Sequence, residues 1–117
     1  MLSRKKLLPL RKEFRRIKKT GKLYDSLSFG FLLSYHEGEI PESAQVAFVV
    51  SKKIDKRSVV RHEVKRKLAD AVREFLGQLP KSAQIVFLAK QKAINSSPED
   101  LRAEIALVLD RAKLIKK

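Results

Sequence analysis

The chain has 117 residues, with 27 Lys and Arg against 13 Asp and Glu, giving a formal net charge of +14. That length is one domain's worth and can bury a core without staples, and the absence of cysteine excludes disulfides, thiolate metal sites and a cysteine nucleophile. So strong a positive field attracts polyanions, nucleic acid first, because each neutralised phosphate releases counterions, whereas an acidic membrane surface would call for exposed Trp, Phe or Leu opposite the cations, and Trp is missing altogether.

Residues 1–8 are expected to be a mobile basic arm of a single domain spanning 1–117. The apolar run in MLSRKKLLPLRKEF is too short for a signal sequence or a membrane span. With a cysteine-free chain suiting a reducing compartment, a cytoplasmic protein is expected.

A first helix is expected after Pro9, with Leu10, Phe14 and Ile17 recurring at helical spacing and Gly21 supplying a left-handed stop. Its other side carries Arg11, Lys12, Arg15, Arg16, Lys18 and Lys19. Leu27 to Tyr35 alternates as a strand with one heavily apolar face. HEGEIPES then reads as a loop, most simply the connection of a hairpin to the next strand, Gln45 to Ser51. That strand is apolar on both faces, which predicts a central position.

SKKIDKRSVVRHEVKRKLADAVREF, Ser51 to Phe75, reads as a basic loop entering an amphipathic helix that stops at Gly77. Val60, Val64, Leu68, Ala71, Val72 and Phe75 fall on one side, and Arg61, Lys65, His62, Arg73 and Arg66 follow one another round the next. A solvated face laced by Glu63 with Lys67 and Arg66 with Asp70 is the plain reading; a surface that follows a line of phosphates is the functional one. Ala83 to Ala89 is a further strand. Ser97 is a suitable N-cap for the last helix, with Pro98 at its first position and Glu99 and Asp100 in the first turn.

These elements make one α+β domain, a mixed sheet with the second and third helices on one face and only the short first helix on the other. A basic helix over part of a sheet leaves a groove with a cationic wall, suited to single-stranded nucleic acid. No catalytic set accompanies it: His36 and His62 share no metal-binding spacing, Glu37, Glu39 and Glu42 sit among turn residues, and no phosphate loop, dinucleotide glycine pattern or Ser/His/Asp arrangement is present. The pattern is that of a binder, with no metal site expected on the chain itself.

Four stretches carry a family likeness across nearly the whole chain: LRKEFRRIKKTGK from Leu10, VAFVVSKKI from Val46, VVRHEVKRKL from Val59, and IVFLAK from Ile85 with PEDLRAEI from Pro98. Through them the chain resembles the protein subunit of bacterial ribonuclease P, the ribonucleoprotein endonuclease that removes the 5′ leader from precursor tRNA. Arg61, Lys65 and Arg66 match the family's basic-helix signature, while His62 stands for Asn, Glu63 for Arg, and Ala69 and Asp70 for a closing Arg-Glu; Lys67 and Arg73 offer cations nearby. On the first helix, Ile17 and Lys18 stand where the family usually has an aliphatic residue followed by Phe.

The resemblance implies a single-domain αβββαβα sandwich like the second domain of ribosomal protein S5, with a left-handed strand–helix–strand crossover. It implies an RNA subunit that cuts, using Mg²⁺, and a protein that holds RNA. Catalytic-RNA contacts would come from Lys52, Lys53, Arg61, Lys65 and Arg66, joined by Arg57, His62 and Arg73 of the same basic surface. The leader would lie along Arg11, Phe14, Lys18, Leu32 and Val49. No membrane and no protein partner are expected. A structural ribosomal protein shares the charge and fold class and is the alternative; a stand-alone nuclease lacks its catalytic groups.

Overall fold

The computed structural model describes residues 10–36, 38 and 43–114, with side chains from residue 14 onward. The arm expected at residues 1–8 and most of the HEGEIPES loop lie outside the described residues. In chain order the elements are α1 (Leu10–Thr20), β1 (Lys22–Asp25), β2 (Phe29–Tyr35), β3 (Gln45–Val49), α2 (Ser58–Arg73), β4 (Ala83–Ala89) and α3 (Pro98–Arg111), with 3-10 turns at Leu76–Gln78 and Gln91–Ile94. The αβββαβα order and the mixed sheet are as expected.

The four strands lie in the order β1-β2-β4-β3. β1 and β4 flank β2 antiparallel, and β3 runs parallel to β4. This corrects two expectations. β2 and β3 do not form a hairpin, because β4 lies between them, and β3 is at the edge rather than the centre. The apolar faces of β3 report the layers above and below it: Val46 packs in the core beneath the helices, and Ala47 belongs to the cluster under α1. In-plane neighbours are a separate matter, set by which strand supplies the hydrogen bonds.

One face of the sheet is closed. Phe29, Phe31 and Phe87 meet edge to face at centroid distances of 5.2 and 5.3 Å, and Phe48 stacks on Phe87 at 5.5 Å. Over them lie Val64, Leu68, Ala71 and Val72 of α2 and Leu101, Ile105, Val108 and Leu109 of α3, all buried. The α2 residues belong to the apolar stripe seen in the sequence, here extended by Ala69.

Glu104 of α3 locks the β1–β2 turn to this face. Its carboxylate accepts from Ser26 Oγ (2.6 Å), Ser28 N (2.8 Å) and Ser28 Oγ (2.6 Å). Burial opposes its charge, yet these hydrogen bonds and Lys92 outweigh burial and hold the carboxyl below the usual glutamate range. The lock explains why β2 begins at Phe29 rather than Leu27: Ser28 is turned inward, and Leu27 is left 68 % exposed.

Helix ends follow local chemistry. Ser97 Oγ accepts from Asp100 N at 3.1 Å, with Pro98 at the first position, as expected. Gly21 does not take the expected left-handed conformation; of the described glycines only Gly38 has positive φ. Gly21 is needed for closeness: its N–H donates to Ile17 O at 2.7 Å, and a Cβ there would lie 3.0 Å from Leu33 O. α2 stops at Arg73, before Gly77, which falls in the following 3-10 turn.

Candidate nucleic-acid interface

The second face of the sheet is built in rows, because β2, β4 and β3 are in register. Ser34, Gln84 and Gln45 form a polar row; Leu32, Val86 and Ala47 an apolar row; Gly30, Leu88 and Val49 a third. Ile17 of α1 packs on the middle row, where it, Leu32, Ala47 and Val86 are buried. Phe14 of α1, with Val49 and Leu88 of the third row, packs against this cluster only partly buried, and the third row becomes the floor of a groove.

Phe14 and Lys18, one helical turn apart, form the wall of that groove, with Lys18 Nζ 5.4 Å from the centroid of the Phe14 ring. Together with Gly21, Leu23, Leu32 and Leu88 they enclose a cavity of about 240 Å³. Leu23, paired with Leu32 across β1–β2, is 60 % exposed at its mouth. Gly30 contributes no side chain between Leu23 and Leu88 and leaves a dip in the floor. The result is an aromatic surface with an ammonium beside it and an apolar floor, the combination that stacks unpaired bases while holding their backbone.

Of the groove residues expected from sequence, Phe14, Lys18 and Leu32 meet at this cavity. Val49 lies beside Leu88 in the same row, on the adjoining strand, without lining the cavity. Arg11 lies on α1, its side chain outside the described ones. Leu23 and Leu88 were missed. The alternation Gln84, Val86, Leu88 could have placed Leu88 on the groove face; Leu23 sits in a four-residue strand too short to show a period.

The second cationic surface is α2 and its approach. Lys52, Lys53 and His62 are exposed, and Lys65 is half-buried. Two arginines build the loop. Arg57 donates to Asp55 from its backbone N (2.8 Å), Nε (3.1 Å) and Nη2 (2.9 Å), and this pairing holds the Asp55 carboxyl at about 2. Arg61 Nη1 donates to the carbonyls of Asp55 (3.1 Å) and Lys56 (2.9 Å), fixing the loop's path onto the helix.

Further along, the pairs differ from those expected. Arg66 binds Glu63 at 2.8 Å and Arg73 binds Asp70, each three residues apart. Exposed pairs of this kind are worth roughly 0–1 kcal/mol, so both guanidiniums remain available to a phosphate. Lys67 does not pair with Glu63 or serve as a nearby cation on this surface. Its Nζ donates to the carbonyls of Ala93 (2.8 Å), Ile94 (2.9 Å) and Ser96 (2.9 Å), tying α2 to the segment before α3. Burial lowers its pKa, with Glu63 pulling the other way.

A model of the ribonuclease P family matches residues 2–113 of the chain. The chain belongs to the ribonuclease P protein family. The ribonuclease P protein component of Syntrophomonas wolfei is 29 % identical over 97 % of this chain and 92 % of its own length. That of Clostridium novyi is 30 % identical over 87 % of this chain and 88 % of its own. The solved RNase P protein of Staphylococcus aureus superposes with a TM-score of 0.80 at 20 % identity, covering 95 % of this chain and 98 % of that one. The RNase P protein of Thermotoga maritima does so at 0.76 and 24 %, covering 90 % and 96 %.

Within the ribonuclease P family this chain is the protein component that assists an RNA subunit in 5′ processing of tRNA, one part of an endoribonuclease. The alternative of a structural ribosomal protein is thereby set aside. Against the family signature, Ala69 is in the core and presents nothing to a partner, while Glu63 and Asp70 are occupied with Arg66 and Arg73. Among the described residues, no helix is long and apolar enough to cross a membrane and no three His, Asp or Glu side chains converge as metal ligands.

Proposed function

We propose that this chain grips the ribonuclease P catalytic RNA with α2 and its approach loop and receives the 5′ leader of precursor tRNA in the groove beside α1. The observation that carries this reading is the half-covered row Gly30, Leu88 and Val49 lying beside a wall of Phe14 and Lys18. An unpaired leader can lay a base there, and a folded tRNA body cannot. Lys52, Lys53, Arg57, Arg61, His62, Lys65, Arg66 and Arg73 form the catalytic-RNA surface; Arg11, Phe14, Lys18, Leu32 and Val49, with Leu23 and Leu88 added, form the leader groove. The chain's part in the reaction is to bind and orient. Mg²⁺ acts on the RNA subunit, no step runs through an ion on this chain, and the holoenzyme works in the cytoplasm.

Reconstitution with a bacterial ribonuclease P RNA at low Mg²⁺ tests the whole. Phe14→Ala should weaken precursor tRNA more than mature tRNA, by about 1–3 kcal/mol for one lost stacked base; equal losses for the two would remove the leader from this groove. Arg61→Ala with Lys65→Ala should flatten the salt dependence of catalytic-RNA binding by up to about two units of slope. An unchanged slope would place the RNA surface elsewhere.

A further inference from the structure

Gln84 is the anomaly of the groove face. It sits mid-sheet on β4, between Ser34 of β2 and Gln45 of β3, and is 1 % exposed. Its Oε1 accepts from Arg16 Nη2, and Arg16 Nη1 also donates to Tyr35 O at 3.2 Å. Its Nε2 is buried with no partner among the described residues. A buried amide left half satisfied costs stability that an apolar side chain of the same size would not. Stability alone therefore does not account for a glutamine here.

Its position on the helix suggests what does. At about 100° per residue, Arg16 lies on one flank of the inward-facing Ile17, and Phe14 and Lys18 lie on the other. Thr20, one turn on from Arg16, hydrogen-bonds Ser34 of the same polar row at 3.1 Å. The polar row thus holds one flank of α1, and the groove opens along the opposite flank. Among the described side chains of α1, Ile17 is fully buried and Phe14 partly buried against the same cluster, so few apolar contacts of these side chains resist a roll or slide of the helix. Such a shift would be favoured by the hydrophobic effect, because it would cover Leu23 and Leu88.

We infer that the Arg16–Gln84 contact is a latch that holds α1 back from the third row and so keeps the leader groove open. Gln84 is a positioning residue, acting through the helix and touching no RNA. The inference rests on the leader-groove reading and adds to it the reason the groove persists in the free protein. A buried polar contact here gives up stability for a single orientation of α1.

Gln84→Met in the reconstituted holoenzyme tests it, with Gln84→Glu as the conservative partner whose carboxylate still accepts from Arg16. Because the chain has no cysteine, a single Leu23→Cys reporter reads the groove mouth through its rate of maleimide labelling. With Gln84→Met we expect a melting temperature equal to or above that of the parent, slower labelling, and a precursor-over-mature preference reduced at least about fivefold. Catalytic-RNA affinity should hold, and Gln84→Glu should keep labelling and preference near the parent. Unchanged labelling and preference in Gln84→Met would overturn the latch, as would a lower melting temperature with equal loss for every RNA. Phe14→Ala run in parallel separates the two ideas: if it lowers the preference and Gln84→Met does not, the latch fails and the groove stands.

Discussion

Phe87 and Leu88 are neighbours on β4 that face opposite sides of the molecule. Phe87 is buried among three other phenylalanines beneath α2 and α3. Leu88 looks into the open groove beside α1. Among the described residues the closed face gathers 21 buried apolar residues and the α1 face four, so most of the apolar burial that stabilises the domain lies on one side. The other side carries less of that duty, and its third row is left only partly covered. A small protein with two helices on one face and a short one on the other thereby places its core and its proposed leader groove on opposite sides of a single strand.

Substitutions at these two neighbours should break the symmetry of an otherwise identical strand. Phe87→Ala should destabilise by about 3–5 kcal/mol, read by denaturant unfolding, and reduce all RNA binding in proportion to the folded fraction. Leu88→Ala should cost less stability, yet lower the preference for precursor over mature tRNA by deepening the groove floor. If Leu88→Ala proved the more destabilising of the two, the division between the faces would be wrong.

A smaller effect sharpens the closed side. The Glu104 carboxyl is held below its ordinary range when folded, so its stabilising contribution is present above the unfolded value and is lost as pH falls through the folded one. Stability of the parent should therefore decline below about pH 4.3, the ordinary glutamate value. Glu104→Gln should lower stability at neutral pH by on the order of 1 kcal/mol and make that acid decline shallower. Parallel curves for the two proteins would show that the β1–β2 turn is held by something else. Leader preference should be indifferent to this change.

The elements themselves were legible because their signals are local. The stripe of α2, the alternation of β2 and β4, and the Ser97–Pro98 start of α3 each depend on residues within a turn or two. The groove was legible in outline, since a basic helix on an otherwise bare sheet face implies one. Phe14, Lys18 and Leu32 do meet there. The family likeness carried the assignment of RNA partners to these surfaces, which charge alone left open between several kinds of polyanion.

Three things were settled only by the tertiary structure. β4 lies between β2 and β3 because strand order depends on which edges find each other across dozens of residues, and apolar faces say nothing about edges. Lys67 points inward because three carbonyls before α3, some 26 to 29 residues away, converge on its ammonium; on a helical wheel it is one more cation. Arg16 binds Gln84 across 68 residues, and no periodicity relates the two. Sequence by itself determined the charge, the amphipathic pieces and an attraction to polyanions, because those are sums and short-range patterns. Which cations hold the fold together was decided by long-range geometry, where a lysine's or arginine's role depends on what acceptor the folded chain brings within about 3 Å.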